Sequence, residues 1–353
     1  MSLATTFESG AAPAHPLAGF GLDMLARGAA RLRGDRIAIA ETEGDCASVD
    51  YRELDRRVQA FGVQAIECGL RPGERMLVVG AAQIGVATAI LGALGAGLEP
   101  VVAPAHLSPA AFAFLAQASG AAAIVGPSRY GALDVEGAML EIAATASTVR
   151  VLGSLGPDIS DGAVDFSLQG LRGVVAEGAR PESRAEAPRV GLVLAPEQRA
   201  PRATFVAQAD LVAYALDFAS RLRVTAERPI LSTLSPASLA GLVAGPLAAL
   251  LAGASLTWIG PFDSRVFVET LDRLGPCHLV VPAAIAGDLA SAGLLSRARL
   301  ETLSFSARDA VPQRPGLAAG VCPVAILTCD EQGRLTIAVE APLETGGGAA
   351  HPV

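Results

Sequence analysis

Residues 76–103, "MLVVGAAQIGVATAILGALGAGLEPVVA", decide the fold. Met76 to Gly80 is a short apolar, β-branched run and predicts a strand. Ala81 to Gly97 is a longer run of small and apolar residues and predicts a helix. "LEPVVA" returns to strand composition. A strand–helix–strand unit of this length means a βαβ crossover and a mostly parallel sheet.

The alternation extends in both directions. Upstream, "RIAIAE" (36–41) reads as a strand. It is followed by a helix whose apolar residues Leu54, Val58, Phe61, Ala65 and Ile66 share one face. Asp50 is its expected N-cap and Gly69 its stop. Downstream come the helix "SPAAFAFLAQASG", with Ser108 as N-cap and Pro109 behind it, and the strand "AAAIVG". The polar stretch 176–189 predicts a linker. After it the pattern restarts with "VGLVLA", a helix from Asp210 to Leu222, "ILSTLS", a helix from Leu239 to Leu251 and "SLTWIG". It continues with a helix from Ser264 to Leu274, "HLVVP" and a helix from Ala283 to Ala292. The expected division is a flexible N-terminus (1–25), a first α/β subdomain (26–180), a second (190–340) and a disordered tail (341–353).

Composition narrows the function classes. Hydrophobic residues make up 51% of the 353 and charged ones 18%, which excludes intrinsic disorder. A formal charge of -8 with 4% aromatics argues against nucleic acid as a partner. Two long uncharged stretches, 76–98 and 229–262, are broken by Gly, Ser or Pro246. They fit strands buried on both faces better than bilayer spans. Five scattered cysteines, with no CxxC pair, predict reduced thiols and a cytoplasmic location. The four histidines do not cluster, so no metal site is expected from them, and neither His106 nor His278 has an evident catalytic partner.

Gly80 to Gly85, with Glu99 about 20 residues on, loosely follows a dinucleotide fingerprint. The pattern is GxxxxG rather than GxGxxG, and close helix–strand packing explains it better. No GxSxG is present, which disfavours a nucleophile-elbow hydrolase.

A second stretch carries the functional question. "VGLVLAPEQRAPRATFVAQADLV" (190–212) reads as a strand, a polar loop and a helix, the usual setting for a phosphate cradle. Such cradles need glycine, whose missing Cβ lets amides approach the anion. This loop has none between Leu192 and Asp210, and it carries Glu197.

Residues 35–126, "DRIAIAETEGDCASVDYRELDRRVQAF…AAAIVG", resemble the N-terminal region of the AMP-binding, adenylate-forming superfamily. The Tyr51-Arg52-Glu53-Leu54 helix start, the turn at 69–75 and the Leu94-Gly95-Ala96-Gly97 helix end sit at that family's spacings. "LAALLAGASLTWIGPFDSRVFVETLDRLGPCHLVVPAAIAGDL" resembles a later family segment. The resemblance covers roughly residues 30 to 335 and implies two stacked, mostly parallel-sheet subdomains.

It also implies that Leu194 to Ala203 stand where the family's T-S-G-T-T-G-x-P-K-G loop wraps the ATP phosphates. Pro201 matches, and Arg202 replaces the lysine. Pro196 and Arg199 occupy glycine positions, and Glu197 a hydroxyl position. The family's substrate-proximal histidine falls at Ser238, and its Mg²⁺-holding glutamate at Glu331 without the preceding Tyr-Gly. Arg199, Pro201, Arg202 and Ser238 are thus the candidate ligand-binding residues, and Glu331 the candidate metal ligand. No catalytic residue is assigned. The expected protein has lost adenylation and acts through protein partners, as a homo- or hetero-oligomer, or by binding an acyl or nucleotide ligand. The alternative is a divergent acyl- or aryl-CoA ligase using ATP and Mg²⁺, with missing parts supplied in trans.

Overall fold

The computed structural model describes residues 21–42, 47–174, 187–198, 200–294, 300–307 and 322–340. Arg199, most of the expected linker, residues 1–20 and the tail from 341 lie outside them.

In chain order the strands begin β1 (Ile37–Glu41), β2 (Ser48–Asp50), β3 (Arg75–Gly80), β4 (Glu99–Pro104) and β5 (Ala121–Gly126). There follow β6 (Arg129–Tyr130), β7 (Leu133–Asp134), β8 (Val151–Ser154), β9 (Val164–Asp165), β10 (Val190–Leu192) and β11 (Thr204–Val206). The last are β12 (Ile230–Ser232), β13 (Leu256–Trp258), β14 (Cys277–Pro282), β15 (Leu300–Ala307), β16 (Val324–Cys329) and β17 (Leu335–Glu340). The helices are α1 (Leu22–Arg33), α2 (Tyr51–Glu67), α3 (Ile84–Gly95), α4 (Pro109–Ser119) and α5 (Val135–Thr145). Then come α6 (Gln208–Arg221), α7 (Leu239–Leu242), α8 (Ala248–Ala252), α9 (Ser264–Leu274) and α10 (Ala286–Ser291).

Two mostly parallel sheets organise the chain. One has eight strands in the order β17-β16-β15-β14-β12-β13-β1-β2, and the other seven in the order β11-β10-β4-β3-β5-β8-β9. Strand alternation sorts the side chains into three cores. Met76 and Val78 of β3 face the central core, while Leu77 and Val79 face an outer core under α4 and α5. Val280 of β14 faces the central core, and Leu279 and Val281 face the opposite outer core under α9 and α10. The layers therefore run helix, sheet, helix, sheet, helix. Helix α3 lies in the middle layer and is buried from Ile84 to Leu94, which explains why its sequence is apolar all round.

Neither sheet is built from one half of the chain alone. β1 leaves the first half of the chain to pair in parallel with β13, Ile39 opposite Leu256. In exchange β10 pairs in parallel with β4, Gly191 opposite Val101. Each half completes the other's sheet, so the two share one central core.

Most expected caps are present. Asp50 accepts the Glu53 amide at 2.7 Å, and Ser108 accepts that of Ala111 at 3.3 Å. The helix expected from Asp210 starts two residues earlier. There the buried Gln208 accepts the Leu22 amide and donates to the Pro188 carbonyl, both at 2.7 Å. The helix expected over Leu239 to Leu251 is kinked at Gly245, whose dihedrals (φ -95, ψ -106) are non-helical ahead of Pro246. No helix among the described residues is long and apolar enough to cross a membrane.

Candidate functional site

The loop from Val193 to Ala203 does not lead into a helix. β11 turns back antiparallel along β10, with Leu192 opposite Thr204, so the loop closes a hairpin at the edge of the seven-stranded sheet. The three residues "TFV" are too short a strand for pattern reading to find. This corrects the strand–loop–helix expectation. No helix N-terminus lies behind the loop to aim amides at an anion.

The hairpin instead faces the end of β4 and the start of α4 across an open cavity of about 640 Å³. His106, Ser108, Ala111, Pro196, Glu197 and Gln198 are among its lining residues. Glu197 and Arg202 are exposed and Pro201 is buried. Two features make this wall a poor phosphate cradle. The Ala111 amide at the start of α4 is already taken by Ser108, and Glu197 adds negative charge.

Glu331 lies close to this hairpin. Its backbone carbonyl accepts from the Thr204 hydroxyl at 3.3 Å. A Cβ added at the neighbouring Gly333 would lie 3.0 Å from Val206 and 3.8 Å from Leu194. The turn between β16 and β17 thus rests on β10–β11. Its internal carboxylate is that of Asp330, which accepts the amides of Gln332 and Arg334 and pairs with the Arg334 guanidinium at 2.6 Å. The Glu331 side chain is exposed, and no group of three His, Cys, Asp or Glu able to hold a metal occurs among the described residues.

Ser238 has a structural assignment. Its hydroxyl accepts the Gly241 amide at 3.0 Å and donates to the Ser235 carbonyl at 3.1 Å, capping α7. Ser235 in turn donates to the Gly80 carbonyl at 2.9 Å. The structure therefore brings the loop and Glu331 together but shows no contact from Ser238 to either.

The turn from Gly80 to Ile84, where a glycine-bearing strand end opens the long helix α3, is closed from within. The Glu41 carboxylate reaches over from β1 and accepts the Ile84 amide at 2.8 Å, at the N-terminus of α3. A carboxylate there satisfies an otherwise orphan amide and complements the helix dipole. Nothing local could reveal this, because Glu41 lies 43 residues upstream. Glu99 is likewise engaged. It bridges Arg75 at 3.2 Å and Arg189 at 3.3 Å, and both guanidiniums lie over the Phe205 ring, at 4.7 and 5.2 Å. This cluster fastens the edge hairpin to β3 and β4 rather than holding a ribose.

His106 is exposed on the cavity wall. His278 is buried in β14, with Nδ1 2.9 Å from the Thr302 hydroxyl. Burial pulls its pKa down to about 4, so it is neutral near pH 7 and held in the sheet.

Residues 25–170 match the family described as AMP-binding enzyme. The fold is shared with solved adenylate-forming proteins. An assigned long-chain-fatty-acid CoA ligase of Rhodopseudomonas palustris CGA009 superposes with a TM-score of 0.74 at 17% identity, over 91% of this chain and 78% of that one. Brucella canis acyl-CoA synthetase gives 0.72 at 16%, over 95% and 60%. Mycobacterium smegmatis MbtA gives 0.72 at 23%, over 90% and 58%. The chain thus spans about three fifths of the latter two. No curated protein sequence matches it.

Proposed function

We propose that this chain, which has the fold of the large domain of adenylate-forming enzymes, does not itself form acyl-adenylates. Its role is binding: a protein partner, or an acyl or nucleotide ligand held without activation. One observation carries the reading. The segment standing where the family's phosphate loop would be, 194–203, contains no glycine and closes a hairpin with Glu197 on the cavity wall.

Adenylation requires an α-phosphate held in line with an attacking carboxylate, with its growing charge neutralised by donors and Mg²⁺. Proline at 196 offers no amide, and the Glu197 carboxylate opposes polyphosphate. Each lost donor of this kind costs about 10²–10³ in rate. Ser238 is occupied in capping α7, which further supports the reading. The competing reading, a divergent acyl- or aryl-CoA ligase completed in trans, draws on Arg202. That residue is exposed on the same loop, with no ion pair among the described residues.

ATP–pyrophosphate exchange over a panel of fatty, aryl and amino acids separates the two. Exchange at background with every acid, and weak or undetectable ATP binding by calorimetry, is the expected result. Robust exchange with any acid, abolished by Arg202→Ala, would establish the ligase instead.

A further inference from the structure

Among the described residues four strands edge the two large sheets, and three of them are blunt. β2 and β11 have three residues each and β9 has two. Short edges of this kind offer too few free backbone groups to template another chain. The fourth, β17, is six residues long and pairs with β16 in unbroken register, from Cys329 opposite Leu335 to Val324 opposite Glu340. Its sequence, Leu-Thr-Ile-Ala-Val-Glu, is rich in β-branched residues. It has no proline, lysine or bulge, the usual devices that protect an edge. We infer that β17 is a self-association edge, at which a second copy of this chain pairs antiparallel about a two-fold axis through Ala338.

The hydrogen-bond phase supports that register. The Arg334 carbonyl faces β16, accepting the Asp330 amide at 3.1 Å. The next residue, Leu335, turns its amide and carbonyl the other way. Alternation along an antiparallel strand then points the amides and carbonyls of Ile337 and Val339 away from β16. With Ala338 on the axis, Ile337 of one copy meets Val339 of the other, and the two can exchange backbone bonds on both sides of the axis. Side-chain faces also match. Leu335 and Ile337 are buried on the core side, and Thr336, Ala338 and Glu340 are exposed on the other. The smallest side chain therefore meets itself at the axis, and Thr336 meets Glu340 of the partner subunit with no like charges opposed. Shifting the strand by one residue would set core-facing against solvent-facing side chains.

The interface is isologous, as a two-fold requires. It is also small, so the dimer should be weak and concentration-dependent. The inference does not depend on whether the chain adenylates.

Sedimentation equilibrium of the full chain and three solvent-face variants tests it, with circular dichroism and thermal melting checking that each variant folds. Wild type should show a reversible monomer–dimer equilibrium in the micromolar range. Ala338→Lys sets two ammonium groups opposite each other at the axis and should leave monomer. Thr336→Glu places a carboxylate against Glu340 of the partner subunit and should weaken the dimer about threefold to tenfold. Thr336→Lys creates an opposite-charge pair at the same place and should tighten it, less so at high salt. A monomeric wild type at several hundred micromolar would overturn the inference. So would a dimer indifferent to all three changes, or one that tightens with Thr336→Glu and loosens with Thr336→Lys.

Discussion

Two turns in the seven-stranded sheet, two strands apart, treat phosphate chemistry in opposite ways. Gly80–Ile84, after β3, has the glycine and the helix N-terminus that an anion site requires, but Glu41 sits on the Ile84 amide. The loop after β10, whose residues Leu194–Ala203 the sequence resemblance sets against a family phosphate loop, has neither glycine nor a helix directly behind it. The first turn is closed and fully engaged in packing. The second lines an open cavity.

The largest expected effect comes from acid acting on a buried group outside both turns, which sets the scale for them. His278, buried in the neighbouring sheet, has its pKa lowered from 6.5 to about 4. The unfolded chain takes up this proton below pH 6.5, and the folded chain only near pH 4. Stability should therefore hold above pH 6.5 and fall between 6.5 and 4, by about 3 kcal/mol from this group. Urea unfolding of wild type and His278→Gln, each measured at pH 7 and pH 4, isolates the contribution. An equal pH dependence in the two proteins would remove His278 from the account.

The closed turn itself should tolerate little. A Cβ at Gly80 would lie 2.5 Å from the Ala237 Cβ, 3.0 Å from Val102 and 3.1 Å from the Ala103 carbonyl oxygen. Gly80→Ala should cost about 2 kcal/mol in denaturant unfolding, the usual cost of overpacking. Glu41→Ala leaves the Ile84 amide without its carboxylate and should cost about 1–2 kcal/mol. It also empties a helix N-terminus, so inorganic phosphate should stabilise that variant more than wild type. Equal stabilisation of both would mean that Glu41 does not guard the turn. Ser238→Ala removes the cap on α7 and should cost about 1 kcal/mol. A collapse of the fold would show that Ser238 does more than cap.

The legible part of this molecule was its local part. Helices α2, α4 and α9 could be read because their caps and apolar spacing lie within a few residues of each other, as at Asp50–Glu53 and Ser108–Ala111. The exchange of strands between the sheets could not, because β1 finds β13 more than two hundred residues away. Helix α1, β2 and β11 were missed as well. α1 precedes the first clear strand, and the two strands have three residues each. Of the candidate residues, Pro201 and Arg202 sit on the loop as expected and Glu331 lies beside it, while Ser238 is a helix cap. Arg199 lies outside the described residues. Glu41 could not have been singled out, since an ordinary strand-end glutamate gains its role only when α3 folds against it.

The smallest expected effect tests the open turn. Glu197 is exposed on a hairpin loop at a sheet edge, and the Glu99–Arg75–Arg189 cluster over Phe205 fastens that hairpin to β3 and β4. Exposed substitutions away from caps and cores change stability by about 0.5 kcal/mol or less. Glu197→Gly should therefore leave the melting curve nearly unchanged, although it removes the opposing charge and introduces a glycine beside the two positions, 196 and 199, where the family pattern has one. It should not bring ATP binding with it. A phosphate cradle needs several amides converging on one point, and this loop still has Pro196 and Pro201 and no helix dipole behind it. Calorimetry of this variant with ATP should match wild type within error. If instead a single change to glycine produced clear ATP binding, the loop would be one substitution short of a working cradle. The contrast between the closed and the open turn would then come down to the charge at position 197.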